Sequence, residues 1–265
     1  MGIEATKYGQ ALLKRSMAAF DELKQSVRDI ELLTNPTAGE INLACSSQFA
    51  STLMPHILEL FVKKFPRVAL RFDEIASASV ARNFPELRDR KCDLILARGM
   101  SLPTRQPSAD DLNIEILFDD HLVIAAGVHS KWAARRHKID LADLVNADWI
   151  MQPTHTWNYQ RLAEAFVARG LPMPKASLET MSMSVITHFL CNDRFICAMP
   201  KSVVHFNSLK VLPVDFPARP WPVNAVTLRN RTLSPVVGRF IECAREVAKL
   251  IPGKLGGHSA RRRKS

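Results

Sequence analysis

Between Gly39 and Ala97 the chain alternates short apolar runs with stretches of helical spacing, and this alternation restricts the fold more than any other feature. Residues 41–45, 68–72 and 93–97 have strand length; residues 49–65 and 80–87 between them carry apolar side chains three and four apart. Two parallel neighbours in a sheet need a crossover long enough to hold a helix, so this order predicts a parallel sheet covered on both faces. Pro55 interrupts the stripe Phe49, Leu53, Ile57, Leu60, Phe61. Either the helix begins near Pro55, or it begins near Ser47 and tolerates a kink.

The pattern recurs further along. Residues 112–117, 122–126, 149–151, 176–179 and 195–199 read as strands, and residues 141–145, 162–168 (closed by Gly170) and 185–190 as helices. Residues 100–111 form a polar loop, residues 216–222 an irregular crossing rich in proline, residues 224–228 a returning strand and residues 233–251 a final amphipathic helix. The expectation is an α/β clamshell over residues 39–251, with lobe I formed by 39–119 and 223–251 and lobe II by 120–222.

Residues 1–38 precede it, and from about Lys7 they read as one long helix. Leu13, Phe20, Leu23, Val27 and Ile30 recur in alternating three- and four-residue steps, with Ser16 at the one polar position of the seam. Such a heptad seam suits pairing with a second chain, and packing on its own domain is the competing use. Five basic and five acidic residues balance along the helix, which predicts that its other faces are solvated. Pro36 and Gly39 end the helix and free the chain to start the first strand.

The formal charge of +10 invites a polyanion partner, yet Lys254, Arg261, Arg262, Arg263 and Lys264 supply half of it. Residues 252–265 are expected to be a disordered basic tail with weak, salt-sensitive attraction to polyanions. No run approaches the ~18 apolar residues of a membrane span and no apolar leader opens the chain, so the expectation is a cytoplasmic protein without a membrane partner. Five cysteines with no C-x-x-C pair point to a reducing compartment and away from a metal. Glycine-rich nucleotide loops, serine elbows and paired-histidine zinc motifs are all absent from the sequence. No catalytic residue, no metal ligand and no cofactor is therefore assigned, and enzyme activity is not expected.

Candidate binding residues lie where strands give way to helices. Ser46 and Ser47 follow the first strand, Ser77 sits in the hydroxyl-rich corner after the second, and Arg98 ends the third. Thr154 and Thr156 occupy the matching corner of the later repeat. Helix amino termini, hydroxyls and a guanidinium suit a small anionic ligand between the lobes.

The order Gly2-Ile3-Glu4-Ala5-Thr6-Lys7-Tyr8-Gly9-Gln10-Ala11-Leu12-Leu13, followed by Gly39-Glu40-Ile41, Leu53-Met54-Pro55, Phe65-Pro66 and the stretch from Asp193 to Pro200, resembles the LysR-type transcriptional regulators. The resemblance implies a two-lobed, type 2 periplasmic-binding-protein-like effector domain, a small-molecule inducer between its lobes and a homo-oligomer, dimer or tetramer, built through the linker helix. The family's inducer contacts carry over to Ser46, Ser47, Ser77, Arg98, Thr154 and Thr156. In that family DNA is bound by an amino-terminal winged helix-turn-helix, which would precede the wing remnant at Gly2, so DNA is expected as a partner only through that domain. Two other readings share the fold: a cytoplasmic solute-binding protein, and a decoy that pairs with full-length regulators.

Overall fold

The computed structural model describes residues 6–34, 38–75, 84–99, 110–216 and 220–251. Among them, contacts divide the chain into two compact units, the first drawn from residues 1–46, 56–115 and 224–245, the second from 47–55, 116–223 and 246–265.

The first unit opens with helix α1 (Lys7–Thr34) and strand β1 (Ala38–Cys45). A short helix α2 (Ser47–Ala50), whose residues group with the second unit, then leads into α3 (Leu53–Lys64), β2 (Arg67–Glu74), α4 (Pro85–Arg88) and β3 (Leu94–Arg98). β1 pairs in parallel with β2 on one side and β3 on the other, as the alternation predicts. β4 (Leu112–Asp120) and β10 (Trp221–Leu228) complete a sheet of order β2-β1-β3-β10-β4. Phe84, Leu87, Cys92, Ile95, Leu112 and Val226 form a core on this sheet, and Phe240 of the last helix, α8 (Pro235–Ala248), meets Phe61 edge-on at 5.6 Å.

Both readings of Pro55 hold in part. The helix starts at Ser47, breaks at Ser51 and Thr52, and restarts at Leu53. The Ser51 hydroxyl donates to the Ser47 carbonyl (2.8 Å) and the Thr52 hydroxyl to the Gln48 carbonyl (2.5 Å), drawing carbonyls away from the helical ladder. Pro55 then falls in the first turn of α3, where its lacking N–H has no helical partner to lose.

The second unit holds a mixed sheet of order β7-β6-β8-β5-β9. β5 (Leu122–Gly127) runs antiparallel to β8 (Ile196–Pro200) and β9 (Leu209–Val211), whereas β6 (Trp149–Met151) is parallel to β7 (Ala176–Glu179) and β8. Helices α5 (Trp157–Val167), α6 (Met183–Cys191) and α7 (Lys201–Phe206) connect the strands. Trp149, Phe166, Leu144, Leu162 and Ile196 fill one core, and Ile150, Ile186, Leu190 and Cys197 another.

Several elements differ from the sequence reading. Residues 141–144 form a 3-10 turn, capped by the Asp140 carboxylate. α7 and β9 have no counterpart in that reading, because α7 is a single β-branched turn held by a distant partner: the buried Asp120 carboxylate accepts from the Ser202 N–H (3.2 Å) and hydroxyl (2.5 Å). β10 begins at Trp221 and contains Pro222, a residue that argues against strand when read alone. Most of the loop at 100–111, much of the helix at 80–87, and the tail at 252–265 lie outside the described residues.

Candidate functional site

Strand register brings two candidate residues to one edge. Cys45 of β1 stands opposite Leu96 of β3 and Glu74 of β2, so Ser46, one residue on, and Arg98, two residues past Leu96, both lie at the carboxyl end of parallel strands. Ser46 is buried and Arg98 half-buried. The edge is braced below by Asp93, whose carboxylate accepts from the Asn42 N–H (2.8 Å) and side-chain amide (3.2 Å), tying β3 to β1. Ser47 is exposed at the start of α2, and Ser77 lies outside the described residues.

In the second unit, β6 ends at Met151 and α5 begins at Trp157. Thr156 caps α5: its hydroxyl accepts from the Tyr159 N–H (3.3 Å) and donates to the Pro153 carbonyl (2.7 Å). Thr154 is exposed in the turn before it. Trp157 stacks on Trp221 at 3.9 Å and 17°, with the Arg161 guanidinium 5.8 Å from its ring centre. Beneath the corner, Gln152, Asn158, Tyr159 and Leu162 line a narrow cavity of about 10 Å³. Arg98 and Ser46 thus form one group, and Thr154 and Thr156 another. Sequence reasoning passed over Trp157, whose signal was an aromatic at the first position after a capping threonine.

α1 presents two faces. Leu13, Phe20, Leu23, Val27 and Ile30 are all exposed, Phe20 by 67% and Val27, the least, by 55%. The opposite side is not solvated, contrary to the reading from charge balance. Gln25 is 2% exposed, and Asp21, one turn before it, reaches Arg231 and Arg90 of the same unit. Arg231 is enclosed: it forks onto Asp21 (2.8 and 3.0 Å), pairs with Asp93 (2.8 Å) and donates to the Cys92 carbonyl (2.9 Å). Burial would raise the Asp21 carboxyl, but the hydrogen bonds and charge of Arg231, then of Arg90, outweigh it and hold the group below the usual carboxylate range. Charge balance misses this because it cannot tell a pair with water beside it from a pair closed against a sheet.

Burial pushes the Cys197 thiol up to about 12, and its hydrogen turns to the Ala198 carbonyl, while Cys191 is exposed. Among the described residues no group of three acidic, histidine or cysteine side chains is placed to hold a metal, and no helix is long and apolar enough to cross a membrane.

Residues 34–249 match the family model described as the LysR substrate binding domain. The HTH-type transcriptional regulator TdcA of Escherichia coli K12 is 23% identical over 248 residues, covering 92% of this chain and 76% of the relative. Among solved structures, the QuiR effector binding domain in complex with shikimate superposes with a TM-score of 0.55 at 20% identity, covering 80% of this chain and 98% of that one. The regulatory domain of Synechocystis CcmR in complex with 2-PG gives 0.58 at 20% identity, covering 81% and 100%. CbnR, a LysR family transcriptional regulator, gives 0.60 at 15% identity, covering 92% and 81%.

Proposed function

The chain belongs to the LysR substrate binding domain family, and from that premise we propose that it senses a small anionic inducer and assembles as a homo-oligomer through α1. As in other members, the fold is that of an effector domain of a transcription regulator. The inducer is held by Ser46, Ser47, Ser77, Arg98, Thr154 and Thr156. The observation that carries this reading is the shared position of Ser46 and Arg98 at the carboxyl end of parallel β1 and β3. A guanidinium at that edge favours a carboxylate or phosphate over a neutral ligand. Within the second unit, beside Thr154 and Thr156, the capped amino terminus of α5 presents N–H groups and the positive end of a helix dipole. The QuiR and CcmR domains bind shikimate and 2-PG respectively, which supports a compact ligand of similar size here.

Thermal shift against a panel of organic acids, sugar acids and phosphomonoesters tests the proposal. A ligand should raise the melting temperature of the native chain and fail to do so when Ser46→Ala, Arg98→Ala and Thr154→Ala are combined. Stabilisation that survives the triple substitution places the inducer elsewhere.

A further inference from the structure

Where α1 meets the first unit, Ala18, Ala19 and Glu22 of the helix face Arg90 of the turn before β3 and Arg229, Asn230, Arg231 and Thr232 of the turn after β10. Together they line an open surface pocket of about 510 Å³, within the range that small-molecule sites occupy. Ala18 and Ala19 contribute no more than a methyl group each to this wall. We propose that this pocket is a second anion site, separate from the inducer residues above, that takes a small doubly charged oxyanion such as a dicarboxylate or a phosphate.

The donors on its wall set the ligand class. Arg231 spends its guanidinium on Asp21, Asp93 and the Cys92 carbonyl, and so acts as a fixed positive wall. Arg229 is exposed and gives one N–H to the Leu112 carbonyl (3.2 Å), and Arg90 engages Asp21 through Nη1. A guanidinium carries five donors, so each retains capacity for an oxyanion. The Thr232 hydroxyl and the Asn230 amide, both exposed on the rim, add neutral donors. Glu22 is the one acid on the lining. It stands 3.8 Å from Arg90 Nη1, beyond hydrogen-bond range, with 45% of its side chain exposed, so a ligand carboxylate displaces it at small cost. Glu22 belongs to α1, and an anion that takes over Arg90 therefore changes what holds the helix to the unit.

Isothermal titration of the full chain with succinate and with inorganic phosphate tests this. Binding of either probe at about 1 mM or tighter is expected, at one site per chain. Arg229→Gln should weaken it at least about tenfold, and so should Thr232→Asp, which sets a carboxylate on the rim; both positions are exposed and neither should alter the circular dichroism spectrum. The combined Ser46→Ala, Arg98→Ala and Thr154→Ala chain should bind as the native one does, which separates this site from the inducer site. No binding of either probe overturns the proposal. Binding that ignores Arg229→Gln and Thr232→Asp, or that disappears only in the triple variant, overturns it as well.

Discussion

Arg231 and Asp21, 210 residues apart in sequence, meet in a two-pronged ion pair: Nε lies 2.8 Å from Oδ2 and Nη2 lies 3.0 Å from Oδ1. The Arg231 side chain is 2% exposed and Asp21 12% exposed, so the pair is largely withdrawn from water and joins α1 to the turn after β10. Asp93 and the Cys92 carbonyl satisfy the rest of Arg231, and Arg90 is the second cation on Asp21. Two guanidiniums thus face two carboxylates.

Removing Asp21 leaves two enclosed cations with Asp93 in contact with Arg231 and only the half-exposed Glu22, 3.8 Å away, beside Arg90. Breaking a buried pair from one side costs more than the pair contributes, because the remaining charge stays desolvated. Asp21→Ala should lower unfolding stability by about 3 kcal/mol, read as a lower urea midpoint, and should expose α1 to protease. Asp21→Asn, which keeps an acceptor, should lose less. An unchanged midpoint in both would mean that α1 is not fastened here.

The same carboxyl sets an acid dependence. Burial alone would raise its pKa, but Arg231 and Arg90 lower it in the folded chain. A depressed carboxylate contributes stability that is fully present above its ordinary value of about 3.9 and is lost as pH falls through the lower folded value. The stability difference between the native chain and Asp21→Asn should therefore be constant from neutral pH down to about pH 5 and shrink below about pH 4. A difference that holds constant into that acid range would remove Asp21 as the titrating group.

What could be read from the sequence follows from the range of the forces involved. β1, β2 and β3 and the helical stretch between β1 and β2 were legible because each is a contiguous apolar pattern, and a parallel sheet was legible because crossovers of that length permit little else. The apolar stripe of α1, which the structure leaves exposed, was legible for the same reason. The far face of that helix was not: Asp21 and Gln25 look like solvated residues until Arg231, 210 residues from Asp21, closes over them. α7 was hidden likewise, since its start depends on Asp120 rather than on its own six residues. Around the candidate site Ser46, Ser47, Thr154, Thr156 and Arg98 stand where strands end, as their residue types suggested, while Ser77 lies outside the described residues. Register alone, which no local pattern carries, sets Ser46 beside the strand that ends in Arg98.

Gly127 ends β5 at the point where α6 finishes. A Cβ there would stand 2.2 Å from the Leu190 carbonyl oxygen and 2.5 Å from Asp193 Oδ1. The first of these is backbone at a helix end and cannot swing aside, so the strand or the helix must shift. Gly127→Ala should cost about 1–3 kcal/mol, the range for overpacking in a closed interior. Circular dichroism melts of the two chains measure it, and a native-like melting temperature would show that β5 and α6 separate more readily than their packing indicates.

α1 carries a final consequence. Phe20 and Leu23 are each more than 60% exposed, on the side of the helix away from Asp21 and Gln25, and Leu13, Val27 and Ile30 extend the same seam. An isolated monomer would hold five large apolar side chains in water, each worth about 1.5–3 kcal/mol on full burial. A second α1 laid along the seam removes that exposure while leaving the Asp21 side attached to its own unit. Sedimentation velocity at tens of micromolar should show a dimer or larger species for the native chain. Leu23→Asp sets a charge in the middle of the seam and should shift the distribution to monomer. Val167→Asp, which alters a still more exposed apolar residue on α5, 74% accessible, should leave it unchanged. A native chain that sediments as a monomer, or one that Leu23→Asp and Val167→Asp affect alike, would show that the seam does not hold copies together.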